Sequence, residues 1–254
     1  MWTGRFGANP NPVGVGARAD WVFTSRSGGV SRGVFESLNL AAHVGDEPTA
    51  VDANRRVVAQ LLGTSQAPLA AIRAEHGNRV HEVTPDSVGS IPIGDGLVSV
   101  SEGVTLLALA ADCAPVLLAD TTNRVIGVVH CGWRGVVAGV VTATVDRMLE
   151  LGAEVSSVAA IVGPSICGQC YVVSADCAHQ IAAAVPGSSF QDSGGQWHVD
   201  VPGAVLQQLG QRGIASERIP ECTFTNPELF SYRRDGITGR QGAAIVLRSL
   251  GGAA

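Results

Sequence analysis

The chain has 254 residues, 46% of them hydrophobic and 15% charged, which supplies one sizeable core and excludes a disordered polypeptide. A net charge of −5 speaks against a nucleic-acid partner, which needs a basic face, and no apolar run approaches a membrane span. All 17 basic residues are Arg, so a Schiff-base lysine, a pyridoxal-phosphate anchor and a Walker-type phosphate loop are excluded together.

Residues 1–16, rich in Gly, Asn and Pro, are expected to form a flexible N-terminal arm ahead of a single domain over 17–250. The arm lacks the apolar region of a secretory signal, so a cytoplasmic location is expected. Trp21-Val-Phe-Thr24 starts a strand, followed by a loop of glycines and hydroxyls from Ser27 to Gly33. Asp46-Glu-Pro-Thr49 predicts a helix start with Asp46 as cap and Pro48 in the first turn. That helix should bury Val51, Val58, Leu61 and Leu62 and stop at Gly63.

Leu69-Ala-Ala-Ile-Arg73 predicts a strand leading into Glu75-His76-Gly77. Val80–Val83 and the segment after Gly94-Asp-Gly96 predict two more. Val104–Ala111 is almost continuously apolar, as a strand buried on both faces must be. Pro115–Asp120 and Arg124–Val129 form a hairpin about Thr121-Thr-Asn123. Helical spacing then places Val137, Val141, Val145, Met148 and Leu149 on one face, ended by Gly152. A strand over Val158–Val162, helices capped by Ser174 and Asp200, and a closing strand over Ala243–Arg248 complete the chain. The alternation predicts an α/β fold, one mixed β-sheet flanked by helices.

Two apolar runs end in metal-competent side chains, Cys113 after Val104–Ala110 and His130 after Val125–Val129. With His76 they make the donor set of an open zinc site, whose fourth position is left to water or substrate. His81 is the weaker choice for the first imidazole, because Gly77 gives His76 closer approach. An activated thiol at Cys113 and an inert buried one stay open beside the metal reading. Asp112 either orients a ligand imidazole or acts as a base. Arg134, at a strand-to-helix junction, offers an anion pocket, unless it merely pairs with Asp112 or Asp120. Arg233, Arg234 and Arg240 crowd one Gly-rich loop and could read a phosphate. His43 is a weaker candidate for the site lining; His179 and His198 read as structural or solvated. Cys167-Gly-Gln-Cys170 has metal-knuckle spacing, but no second CxxC completes it, so a structural or incidental role is favoured.

The motifs Ala111-Asp-Cys-Ala-Pro-Val-Leu-Leu118, His130-Cys-Gly-Trp-Arg-Gly135, Gly163-Pro-Ser-Ile-Cys-Gly-Gln-Cys-Tyr171 and Ser231-Tyr-Arg-Arg-Asp-Gly236 resemble those of the YfiH/YlmD family. Ser27-Gly-Gly-Val-Ser31 and Asn54-Arg55 extend the resemblance, which runs from about Thr24 to Leu247. That family has been labelled multicopper polyphenol oxidase, or laccase-domain, and is described as purine nucleoside phosphorylase. The resemblance implies zinc on His76, Cys113 and His130, with copper as a substitute. It also implies phosphorolysis of adenosine, inosine and S-methyl-5′-thioadenosine to free base and ribose 1-phosphate, with adenosine deamination beside it. Asp112, Cys113 and Arg134 are then the expected catalytic residues. Arg134, Arg233, Arg234, Asn54 and Arg55 are the expected contacts to nucleoside and phosphate. Two positions depart from the family pattern: Arg73-Ala-Glu-His76 replaces a common Gln-Val-His, and Val172 stands where an acid usually follows the Tyr.

A blue-copper and trinuclear centre would need roughly ten histidines; the chain has 6, none in an HxH pair, so a multicopper oxidase is rejected. A hydrolase or deamidase using Cys113 as nucleophile and His130 as base is the alternative enzyme. A non-catalytic module with a structural zinc is the third reading, opposed by the count of three ligands where structural sites normally have four.

Overall fold

The computed structural model describes residues 1–7, 17–64, 69–87 and 92–249. Its layering follows from side-chain alternation along two apolar strands. Every residue of the strand Thr105–Ala110 is buried; Leu106 and Ala108 enter one core, Leu107 and Leu109 another. Only a strand covered on both faces permits this. It lies in a five-stranded sheet ordered Trp2–Phe6, Ala17–Phe23, Gln241–Ser249, Thr105–Ala110, Leu69–Ala71. All pairs are antiparallel except the last, where Leu69–Ala71 runs parallel to its neighbour.

The strand Ala114–Asp120 repeats the pattern in a six-stranded sheet. Its order is Ala215–Arg218, Ala159–Val162, Ala114–Asp120, Val125–Cys131, Gly96–Ser99, Val80–Glu82, with parallel pairs only at the two ends. Leu117, Ile126 and Val128 meet Leu106, Ile245 and Leu247 of the first sheet in a shared core. Val116, Leu118 and Val129 face the other way, against Val141, Val145 and Met148 of the helix Val140–Glu150 and Val205 and Leu209 of the helix Val201–Gln211. Val58 and Leu62, from the helix Pro48–Leu61 and its end, cover the outer face of the first sheet. The layers therefore run helix, sheet, sheet, helix, each buried Leu or Ile contributing about 1.5–3 kcal/mol.

The α/β class and mixed pairing match expectation, although the strands divide into two large sheets and a small one, Val172–Val173, Trp197–Val199 and Ser189–Gln191. Ser174 and Asp200 cap their helices as expected, accepting from the amides of Cys177 and Gly203. Other expectations need correction. Trp2–Phe6, placed in a loose arm, pairs with the strand Ala17–Phe23; residues 8–16 lie outside those described. Asp46 does not cap the helix: Glu47 precedes Pro48 with no side-chain cap bond, and the Asp46 carboxylate holds Ser31 Oγ and Asn39 Nδ2. Leu61 is 47% exposed, and the inward place goes to Asn54, which is fully buried. The helix after Gly135 breaks at Gly139, whose φ of 77° is left-handed, and Val137 turns outward to 39% exposure. No helix among the described residues is long and apolar enough to cross a membrane.

Candidate functional site

Between Ala110 and Ala114 the chain leaves the first sheet and enters the second, and Cys113 sits in this crossing. His130 lies one residue from the end of the strand Val125–Cys131, opposite Pro115. His76 follows the strand Leu69–Ala71, which runs beside Thr105–Ala110. The topology thus brings three distant donors to the rim where the sheets part.

His76 (φ 62°) and Asp112 (φ 97°) both occupy the left-handed backbone region without being glycine. Such residues cost on the order of 1–3 kcal/mol and persist only where neighbours hold them. The holding groups are visible. Asp95, completely buried, accepts the amides of His76 at 3.0 Å and Gly77 at 2.7 Å. Asp112 accepts Thr223 Oγ1 and the Arg233 amide, both at 2.6 Å.

The ligand atoms of His76, Cys113 and His130 all lie within 4.8 Å of one another. Cys113 Sγ is 3.9 Å from His76 Nε2, and the two imidazole rings meet edge to face with centroids 4.9 Å apart. Zinc bonds of about 2.3 Å to sulfur and about 2.0–2.1 Å to nitrogen would set those atoms about 3.6 Å apart at a tetrahedral angle. The donors fit such an ion. Gly132 leaves the room for it: a Cβ there would come within 3.0 Å of Cys113 Sγ and 3.1 Å of His76 Cδ2. His76 is exposed, Cys113 half-buried and His130 buried, so one side of the group stays open.

The electrostatics suit a thiolate. Burial alone would raise the Cys113 thiol, but the charge of His130 and hydrogen bonds from both imidazoles outweigh it and bring the pKa to about 6. Burial opposes protonation of His130, yet Cys113 and Asp95 raise it to about 10. Asp95 itself is held low: burial works against its charge, but His130 and the Gly77 and His76 amides prevail. Asp95 Oδ1 lies 2.8 Å from His130 Nδ1, so that nitrogen donates, and Nε2 is the ring atom a metal would take by displacing its proton. Cys131 next door is fully buried and its thiol is pushed up by that burial, which leaves it protonated and inert.

A cavity of about 500 Å³ opens onto these donors. Leu109 and Ile72 give it an apolar side, Tyr171 and Tyr232 aromatic ones, and Arg233 and Arg240 a cationic one. Arg233 lies over the Tyr171 ring at 4.9 Å, and Arg240 near that of Tyr232 at 5.8 Å. His43 also lines it; burial, then Arg240, Arg73 and Arg55, lower its pKa and keep it neutral.

A family described as multi-copper polyphenol oxidoreductase laccase matches residues 20–248. The chain belongs to this laccase-like YfiH/YlmD family. A relative from Streptomyces griseus, named purine nucleoside phosphorylase ORF3, is 42% identical over 92% of this chain and 96% of its own. The purine nucleoside phosphorylase YlmD of Bacillus subtilis is 32% identical over 89% of this chain and 87% of its own. The crystal structure of YlmD from Geobacillus stearothermophilus superposes with a TM-score of 0.84 at 29% identity, over 96% of this chain and 98% of that one.

The other residues singled out in this YfiH/YlmD chain divide between the cavity and the scaffold. Asp112 and Arg233 line the cavity, but the Asp112 carboxylate is occupied by Thr223 and Arg233, and the imidazole it was expected to orient is held by Asp95. Arg134 lies outside the cavity lining, stacked on Trp133 at 4.4 Å at the start of a six-residue helix. Arg234 is spent on the carbonyls of Thr223, Phe224, Asn226 and Leu229 and on Asp235. Asn54 is spent on Val30, Ser31, Ser37 and Asn39, and Arg55 Nε donates to the Leu40 carbonyl. These two pin the loop ahead of His43; neither is among the residues that line the cavity, although the Arg55 charge acts on His43. Sequence reasoning missed Asp95, whose one signal is an acid between two glycines before a buried run. It also missed Tyr171 and Tyr232 as lining, although both sit in motifs it quoted.

Proposed function

We propose that the chain is a zinc-dependent purine nucleoside phosphorylase. It acts in the cytoplasm on adenosine, inosine and S-methyl-5′-thioadenosine, with adenosine deamination as a second activity of the same cavity. One observation carries this reading: an open His-Cys-His donor set and two arginines share the walls of one cavity sized for a small ligand. The names of the relatives support it from outside.

His76, Cys113 and His130 would hold the ion, with Asp95 fixing the ring of His130. When bound, zinc supplies a Lewis acid and an acidified water for attack at the purine. The protein's own residues do the rest. Arg233 and Arg240 bind phosphate dianion, and neutral His43 adds a hydrogen bond without a competing charge. Tyr171 and Tyr232 give the base aromatic faces. A phosphate oxygen forms the bond to C1′ of the ribose. The C1′–N9 bond breaks, its electron pair stays on the base, and the base is protonated as it leaves.

A multicopper centre does not fit this donor set. Of the 6 histidines, two are in the group; His81 holds the Ile93 carbonyl, His198 holds Gly168 and Asp192, and His179 packs on Trp197. His43 stands alone. A single copper ion replacing zinc on the same three donors is compatible with their chemistry.

One observation favours a second reading. Cys113, His130 and Asp95 have the order of a thiol triad, the imidazole between a thiolate and a carboxylate. Against it stands His76, a second imidazole 3.9 Å from the same sulfur, which a nucleophile does not need and a metal does. The deciding experiment assays metal-analysed protein on a nucleoside panel with and without phosphate. Adenine and ribose 1-phosphate should form only with phosphate, and inosine from adenosine without it. Zinc-replete protein that releases no base with phosphate present sinks the phosphorylase reading.

A further inference from the structure

Cys167, Cys170 and Cys222 lie outside the donor set already described, and their sulfur atoms all fall within 4.8 Å of one another. All three are free and half-buried. Two backbone features bring them together. The Cys170 amide bonds the Cys167 carbonyl at 3.0 Å, so one tight turn puts both thiols of the CxxC on the same side. A parallel bridge between Ser165 and Cys222 then sets the third thiol beside them from 55 residues away in sequence.

The surroundings of Cys222 are those of a ligand and not of a packed thiol. Its sulfur accepts the Cys167 amide at 3.4 Å, and the amides of Phe224 and Thr225, two and three residues ahead, face it as well. A neutral thiol has little use for several donors, whereas a thiolate on a metal is stabilised by them. Arg234, near enough to feel the Cys222 charge, offsets the excess negative charge of three thiolates around a divalent ion. Sulfur atoms on tetrahedral zinc stand about 3.8 Å apart, a contraction that half-buried side chains can make.

We propose that these three cysteines form a second metal site, for zinc or another thiophilic cation, independent of the first. Three sulfurs exclude hard cations such as magnesium and calcium. No fourth His, Cys, Asp or Glu joins the group among the described residues, so water or an outside ligand completes the sphere. The site acts on the first from behind. Cys170 adjoins Tyr171 of the cavity wall, and Cys222 adjoins Thr223, which holds Asp112 beside Cys113. A bound ion ties these two loops together and positions both contacts.

The test uses the full chain carrying His76→Ala and Cys113→Ser, which removes the first centre. Cobalt(II) added to this protein should give a sulfur-to-cobalt charge-transfer absorption, displaced by one equivalent of zinc. Adding Cys170→Ser and Cys222→Ser together, which leaves one thiol, should abolish it. Cys170→Ser, which keeps two thiols and the bridge, should weaken binding at least about tenfold with the circular dichroism unchanged. Wild-type protein should hold a second zinc equivalent that Cys222→Ser lacks. Cobalt without the charge-transfer absorption in the first variant overturns the site. So does a disulfide joining Cys222 to Cys167 or Cys170 in protein isolated under non-reducing alkylation.

Discussion

The Asp95 carboxylate accepts Nδ1–H of His130 at 2.8 Å, and the same group accepts the amides of His76 and Gly77. One buried acid therefore governs two of the three donors: it selects the tautomer of one ring and holds the strained backbone that carries the other. Asp95→Asn keeps the shape but loses the charge that favours Nδ1–H. Zinc affinity should fall about 10–100-fold, the usual effect of removing such a partner. Competition against a chromophoric chelator measures it; an unchanged affinity would show that Asp95 serves the fold alone.

Gly132 is the second control on this centre. Its missing side chain is the gap between Cys113 Sγ and the His76 ring, at 3.0 and 3.1 Å from where a Cβ would stand. Its backbone is ordinary and extended, with φ −86° and ψ 177°, so Gly132→Ala is a test of space and not of backbone strain. The methyl must push one donor aside. We expect sub-stoichiometric zinc in purified Gly132→Ala with melting shifted by only a few degrees, roughly 1–2 kcal/mol for a crowded contact. Full zinc occupancy would mean that the donors close elsewhere than the gap.

The sequence made the buried strands and the three donors readable for one physical reason, while their division into two large sheets was not read. Thr105–Ala110 and Ala114–Asp120 are buried at every position and apolar at nearly all of them because both faces are covered, and a chemically distinct residue at the end of such a run stands out. Asp95 did not stand out, since an acid in a Gly-Asp-Gly turn is ordinary until its burial is known. Arg134 and Arg234 could not be sorted from Arg233 by sequence for the converse reason. A guanidinium that stacks on Trp133 or ties off loop carbonyls has the same sequence signature as one that binds phosphate. Cys222 was silent because the CxxC that it joins begins 55 residues away, at Cys167, linked by a bridge that no periodicity encodes.

Metal-free protein should expose the thiolate directly. In the ion-free protein the Cys113 thiol is brought to about 6, below the ordinary 9.0, because His130 outweighs burial. A depressed thiol is deprotonated above its own pKa and protonated below it. Alkylation of Cys113 in chelator-treated protein should therefore be fast at neutral pH and fall off with a midpoint near 6 as the solution is acidified. Replacing His130 by Asn removes the cation and should move the midpoint upward. Zinc should protect the residue throughout. A midpoint near 9 in the metal-free protein would show that no imidazolium faces this sulfur.

The arginines separate by what they touch. Arg240 reaches the cavity while bonding the carbonyls of Thr238 and Gly239 at 2.8 and 2.9 Å, so its guanidinium is held in place with donors to spare. Arg240→Ala removes a charge-assisted contact of about 1.5–3 kcal/mol, which predicts a rise in KM for phosphate of about 10–100-fold. Zinc content should be unchanged, and phosphate-independent deamination nearly so. Arg234→Ala should do the opposite. It strips four loop carbonyls of their donor, which predicts a lower melting temperature with little change in KM for phosphate in the protein that stays folded. A phosphate KM that responds to Arg234 and not to Arg240 would move the anion site off the cavity wall and onto the loop.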